Sequence, residues 1–148
     1  MKKTLIFIFC TLFSFFSFSQ KKDALVGVWL EEEGQSKIKI YAVNTSEGIK
    51  YEGKIIWLEE PLRENGEIKL DDKNPNPQLR EQTILGLIIM KDLKFKKTSY
   101  WYDGSIYDAR SGKTYSLEII MPDKNTLKLR GYLGISLIGK TTIWKRVK

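Results

Sequence analysis

Histidine is missing from the 148-residue sequence, and cysteine occurs once, as Cys10. These absences remove whole chemistries. A Ser-His-Asp triad cannot be assembled. Zinc, copper and haem sites built on Cys or His are excluded as well. Cys10 lies among Leu5-Ile-Phe-Ile-Phe-Cys-Thr-Leu-Phe13, inside an apolar run that follows Met1-Lys2-Lys3. A lipidated cysteine would follow small residues at the end of such a run, and Cys10 does not.

A membrane-spanning stretch is also lacking. A spanning helix needs roughly 20 apolar residues, and this one is broken by Thr11, Ser14 and Ser17. Two lysines, a short apolar core and small residues at Ser17 and Ser19 have the layout of an export signal. Cleavage is expected between Ser19 and Gln20, with residues 1–19 the signal peptide and 20–148 the mature chain. The mature chain then holds no cysteine, so it has no thiolate nucleophile. It also has no disulfide, in a compartment that would permit one. About 129 residues remain, enough for one core that is stable on packing alone. Periplasm or extracellular medium is the expected location, with no integral membrane segment after cleavage.

The chain carries 25 basic and 18 acidic residues, a net +7 that becomes +5 once Lys2 and Lys3 are removed. A basic excess can serve nucleic acid. Here, however, lysines flank strand residues, as in Lys37-Ile38-Lys39, and Glu31-Glu32-Glu33 forms an opposing run. That pattern suits a solvated face and protected strand edges. No nucleic-acid partner is expected.

What the mature sequence does contain is strand after strand. Lys37–Val43 alternates polar and apolar residues, the period of a half-buried strand. Val26–Leu30, Lys50–Leu58, Ile84–Met90, Tyr100–Tyr107, Lys113–Met121, Thr126–Tyr132 and Ser136–Val147 complete a set of about eight. Short turns such as Asn44–Gly48 and Asp108–Gly112 join most of them. Gly53 reads as a bulge, and Gly131, Gly134 and Gly139 as a bend in the wall. The exception is a long loop at about 59–82, punctuated by Asn74-Pro75-Asn76-Pro77, with one helical turn expected from Pro77 to Arg80. The fold class expected is all-β: a single antiparallel up-and-down β-barrel.

Two resemblances sharpen this reading. Gly27-Val28-Trp29 resembles the Gly-x-Trp signature of lipocalin-like (calycin) barrels. That likeness implies a basic residue of the last strand, here Arg146, packed over Trp29 to close the barrel. Over nearly the whole mature chain the sequence is similar to the bacterial secreted family catalogued as domain of unknown function 2147. The likeness is carried by Gly27-Val-Trp29, Gly53-Lys-Ile-Ile-Trp57, Asn74-Pro-Asn-Pro-Gln-Leu-Arg80, Gly104-Ser-Ile-Tyr-Asp108, Ser111–Tyr115, Arg130–Ser136 and Thr141–Trp144. The chain departs at Ala109-Arg110, where the family usually reads Pro-Glu. The family likeness implies the barrel and brings no activity with it.

Candidate site residues fall into three groups. Trp101, Tyr107, Tyr115 and Tyr132, with other strand aromatics, either line a cavity for an apolar or sugar-like ligand or fill the core. Asn74, Arg80, Asp108, Arg130 and Tyr132 form a polar constellation. In it Arg80 and Arg130 either pair internally or present a fork to an anionic ligand. Asp71, Asp72, Asp103 and Asp108 are carboxylates that a hydrolase or a calcium site would need, but no calcium-loop spacing is present. The expectation is a non-enzymatic binding protein with no cofactor, holding a small apolar or amphipathic ligand under a lid formed by the long loop. The alternative is an envelope interaction module with a filled barrel. A carboxylate-dependent hydrolase comes third. N-terminal sequencing of the exported protein should read from Gln20 or an adjacent residue. Membrane-bound material that retains Met1 would refute the cleavage.

Overall fold

A computed structural model of the chain describes residues 22–135 and 137–147. The expected signal segment and its cleavage site lie outside the described residues. Eight antiparallel strands follow one another round a closed barrel: β1 (Gly27–Leu30), β2 (Ser36–Thr45), β3 (Gly48–Leu58), β4 (Ile88–Lys97), β5 (Tyr100–Asp108), β6 (Lys113–Asp123), β7 (Thr126–Tyr132) and β8 (Gly139–Arg146). Each strand pairs with its neighbour in sequence, and β1 pairs with β8.

Alternation along the strands decides what is inside. Ile38 and Ile40 on β2, Tyr51, Gly53 and Ile55 on β3, and Leu117, Ile119 and Met121 on β6 are buried. The residues between them face solvent. Gly53 sits where the β3–β4 register slips, and a Cβ there would press on Met90 and Ile38. The expected bulge at Gly53 is present, and close packing across the barrel requires it.

One strand differs from expectation. Ile84–Met90 does not form a strand as a whole, because the ladder begins only at Ile88 and then runs on to Lys97. Gly86 adopts φ +92°. The segment before Ile88 bonds to a single residue of β3: Gly86 N–H donates to the Ile55 carbonyl, and Ile55 N–H donates to the Leu87 carbonyl. The long loop therefore extends to residue 87. The helical turn expected near its middle is a 3-10 turn at Pro77–Leu79, opened by the Asn76 side chain accepting from Gln78 N–H. A second 3-10 turn, Asp23–Leu25, precedes β1.

The end of the barrel at which β1 begins is packed solid. Leu25, Trp29, Tyr51, Leu93, Trp101 and Leu127 have no exposed surface. Trp101 meets Tyr51 edge-on at 6.5 Å between ring centroids and Phe95 at 5.4 Å. Trp29 Nε1–H donates to the Leu25 carbonyl at 3.0 Å. The Arg146 guanidinium lies 4.1 Å from the Trp29 ring centroid. It donates as well to the carbonyls of Ala24, Val26 and Lys124. Gly27, at φ +147°, passes so close that a Cβ would collide with Arg146 Nη1. Glycine is required there on both counts.

Replacing Trp29 with Ala would remove a fully buried indole and the surface on which Arg146 rests. The expected cost is about 3–5 kcal/mol in denaturant unfolding. A variant with the wild-type midpoint would show that the indole does not hold this end together.

Candidate functional site

The opposite half of the barrel is hollow. Antiparallel order gathers the connections after β1, β3, β5 and β7 at one end, and there a cavity of about 740 Å³ opens. Its deep part is set by Ile38, Leu117, Leu129 and Trp144. Ile55, Ile89, Ile106 and Tyr115 line it on β3 to β6, and Ile84 of the long loop joins them. The volume falls within the range of small-molecule sites, and the lining is mostly apolar, as such sites are. Gly131 and Thr142 keep the β7–β8 side open because both are small.

The mouth is charged, and unevenly so. The β1–β2 turn contributes Glu31, Glu32 and Glu33, the long loop Glu59 and Glu60, and the β5–β6 turn Asp108. Against these six stand Lys69, Arg110 and Lys140. Glu31 caps its own turn by accepting from the amides of Glu33 and Gln35. Glu33 pairs with Arg110 at 2.7 Å and Glu60 with Lys69 at 3.6 Å. Among the described residues the carboxylates of Glu32 and Glu59 have no partner. Beside this acidic side lie Leu133 and Ile138 of the β7–β8 connection, 59% and 73% exposed.

The long loop is fastened to the barrel through a buried carboxylate. Asp71 has no exposed surface. It accepts from the Tyr107 hydroxyl at 2.6 Å and from Asn74 Nδ2 at 2.7 Å. Burial, together with the bond to Asp71 and the negative charges of Asp71 and Asp108, pushes the Tyr107 hydroxyl up to about 12. A second tie runs from Lys73 Nζ to the Arg110 carbonyl at 2.7 Å. Gly112 lies so close to the Lys73 carbonyl that no side chain fits there.

The candidate residues separate accordingly. Tyr107, Tyr115 and Tyr132 border the cavity, but the Tyr107 hydroxyl is turned to Asp71 of the long loop and the Tyr132 hydroxyl donates to Glu118 on the outer face of β6, at 3.3 Å. Trp101 does not line the cavity but is core, because β5 turns it inward at the packed end. Asn74 is a loop-fastening residue rather than a lining one: its side chain is spent on Asp71 and on accepting from Asn76 N–H. Arg80 is exposed and donates from Nε to the Asn74 carbonyl, which braces the Pro/Asn segment. Arg130 sits between buried Leu129 and Gly131 at the outward parity of β7, where it bonds Thr141 Oγ1 and the Leu137 carbonyl. Neither arginine is among the residues lining the cavity, so a fork directed at an anionic ligand inside it is corrected.

The carboxylates considered for catalysis or calcium are dispersed. Asp72 pairs with Arg63 and Asp103 with Lys94, while Asp108 is engaged by Ser111 and Arg110 in its own turn. No group of three or more potential metal ligands occurs among the described residues. From sequence Asp71 stands among the candidate carboxylates, with no part in fastening the loop. The available signal was Asp71-x-x-Asn74, an acceptor three residues before an asparagine that is itself locked by prolines.

Comparison with known proteins agrees with this architecture. The family model described as "Uncharacterized protein conserved in bacteria (DUF2147)" matches residues 27–146. Among solved structures the chain is similar to HP1028 from the human pathogen Helicobacter pylori, a protein described as belonging to the lipocalin family. The TM-score is 0.68 with 24% identity, over 84% of this chain and 83% of that one. No curated protein matches the sequence.

The Tyr107–Asp71 bond has a measurable pH signature. A folded-state value near 12, above the ordinary 10.0, means a contribution to stability that is complete below about pH 10. It is lost as pH rises toward 12, because the unfolded chain releases its proton first. Tyr107→Phe should flatten that alkaline decline and cost about 1–3 kcal/mol at neutral pH by leaving Asp71 short of a donor. Tyr41, raised to about 12 by burial and Glu52, keeps its own share. Denaturant midpoints measured from pH 8 to 12 check both effects.

Proposed function

For this chain, which belongs to the DUF2147 family of bacterial proteins, we propose a non-enzymatic role outside the cytoplasm: binding one small apolar or amphipathic molecule in the open half of the barrel. The observation that carries this is the 740 Å³ cavity, lined by isoleucines, leucines, tyrosines and Trp144 and reached through a single ring of loops. The lipocalin-like fold supports it as architecture. A location outside the cytoplasm rests on the Lys-Lys, apolar-core and Ser-x-Ser series at the start of the sequence.

The long loop serves this role as a fixed wall rather than a free lid. Ile84 contributes to the lining, and Asp71, Asn74 and Lys73 hold the loop in place. A filled barrel, which the docking-module alternative assumed, is found at the Trp29 end only. The hydrolase alternative finds its carboxylates in separate local partnerships.

Titration with the neutral apolar dye N-phenyl-1-naphthylamine tests the proposal. Saturable enhancement at one dye per chain is expected, with a change in Trp144 emission that Trp144→Phe abolishes. Thr142→Trp, which inserts a ring at a small position of the wall, should remove binding while retaining the fold by circular dichroism. Absence of saturable binding by the wild type would end the proposal.

A further inference from the structure

The mouth of the cavity runs against the charge of the chain that carries it. The sequence is basic overall, at +7. Yet six acidic and three basic side chains surround the entrance. Two of the three cations are already matched, Arg110 with Glu33 and Lys69 with Glu60. Below the mouth no basic side chain among the described residues faces the cavity, so among these a carboxylate or phosphate head group would find Lys140 alone. A cation meets the opposite situation. Glu32 and Glu59 stand unpartnered at the lip. Tyr107, Tyr115 and, deeper, Trp144 are among the residues that line the cavity, and an aromatic face attracts an ammonium group.

The lip is also divided by chemistry. Glutamates of the β1–β2 turn and the long loop form its acidic part, while Leu133 and Ile138 of the β7–β8 connection offer exposed apolar surface. An elongated molecule with an apolar body and one charged end matches both the interior and this divided entrance. A cleft with walls of low dielectric and one dominant sign of charge focuses its field on what enters.

We propose that the cavity takes a cationic amphiphile, its hydrocarbon or ring body inside the barrel and its protonated amine or quaternary ammonium group at the Glu32/Glu59 lip. This rests on the ligand-binding reading above and specifies the charge of the ligand. It replaces the anionic ligand that Arg80 and Arg130 suggested from sequence.

Three probes with the same chain and different heads decide it: dodecyltrimethylammonium, dodecyl maltoside and dodecyl sulfate, each below its micelle concentration. Binding to the full mature protein would be measured by calorimetry at low and high salt. The ammonium probe should bind about tenfold more tightly than the sulfate at low salt, with the gap narrowing as salt screens the lip. The maltoside should displace the ammonium probe, which places both in one site. Glu32→Gln/Glu59→Gln changes two unpartnered side chains and should reduce the ammonium preference about threefold while leaving maltoside affinity unchanged. Equal or tighter sulfate binding, or a preference untouched by the double variant, would overturn the cationic assignment and leave a neutral-ligand site standing. If none of the three binds, the ligand-binding reading falls with it.

Discussion

Among the described residues the ladder between β1 and β8 joins Trp29 to Arg146 and Leu30 to Lys145, with one further bond from Val147 N–H to the Val28 carbonyl, whereas β2 and β3 pair from Ser36 to Thr45 with a single register shift. A barrel has to close, and this one closes where its backbone pairing is shortest. The deficit is made up by one side chain. The Arg146 guanidinium spans the seam, stacks on Trp29 and bonds carbonyls at Ala24, Val26 and Lys124. Burial of part of that group lowers its proton affinity. Arginine stays charged because its ordinary value is so high, which a lysine in the same place would not guarantee.

Closure at that end makes openness at the other affordable. Leu25, Trp29, Tyr51, Leu93 and Trp101 concentrate the large side chains in one half. The other half then needs only enough contact to keep its walls in register. Small residues at Gly131 and Thr142 and the fastened long loop shape what space remains. The hollow and the packed core are two outcomes of one uneven distribution of residue volume along eight strands.

Much of this was legible in the sequence because it rests on local pattern. Period-two alternation located the strands, turn residues located the hairpins, and Gly27-Val28-Trp29 with Arg146 pointed to the closure. The failures have physical causes. Ile84–Met90 is apolar enough for a strand, but Gly86 bends the chain and Ile84 packs from a loop. Trp101 and Tyr107 lie six residues apart on one strand, and the register slip between Trp101 and Gly104 shifts the alternation so that Gly104, not Asp103, takes the inward side. Arg130 follows a parity visible in the sequence, yet parity does not reveal which polar atoms will satisfy it. The acidic mouth comes from three connections far apart in the chain. Glu31–Glu33 looked like a solvated run because nothing local announced Glu59, Glu60 and Asp108 beside it.

A closed barrel has no strand edges, so the lysines that flank its strands keep the outer wall wet rather than guarding exposed ladders. The short seam changes that situation when it gives way. Parting β1 from β8 would release two unpaired edges at once, one of them the eight-residue stretch Gly139–Arg146 with Ile143 and Trp144 in it. Loss of the Trp29–Arg146 contact would thus turn a molecule without adhesive borders into one with two, able to add strands from another copy. The residues at the seam keep both of those edges paired.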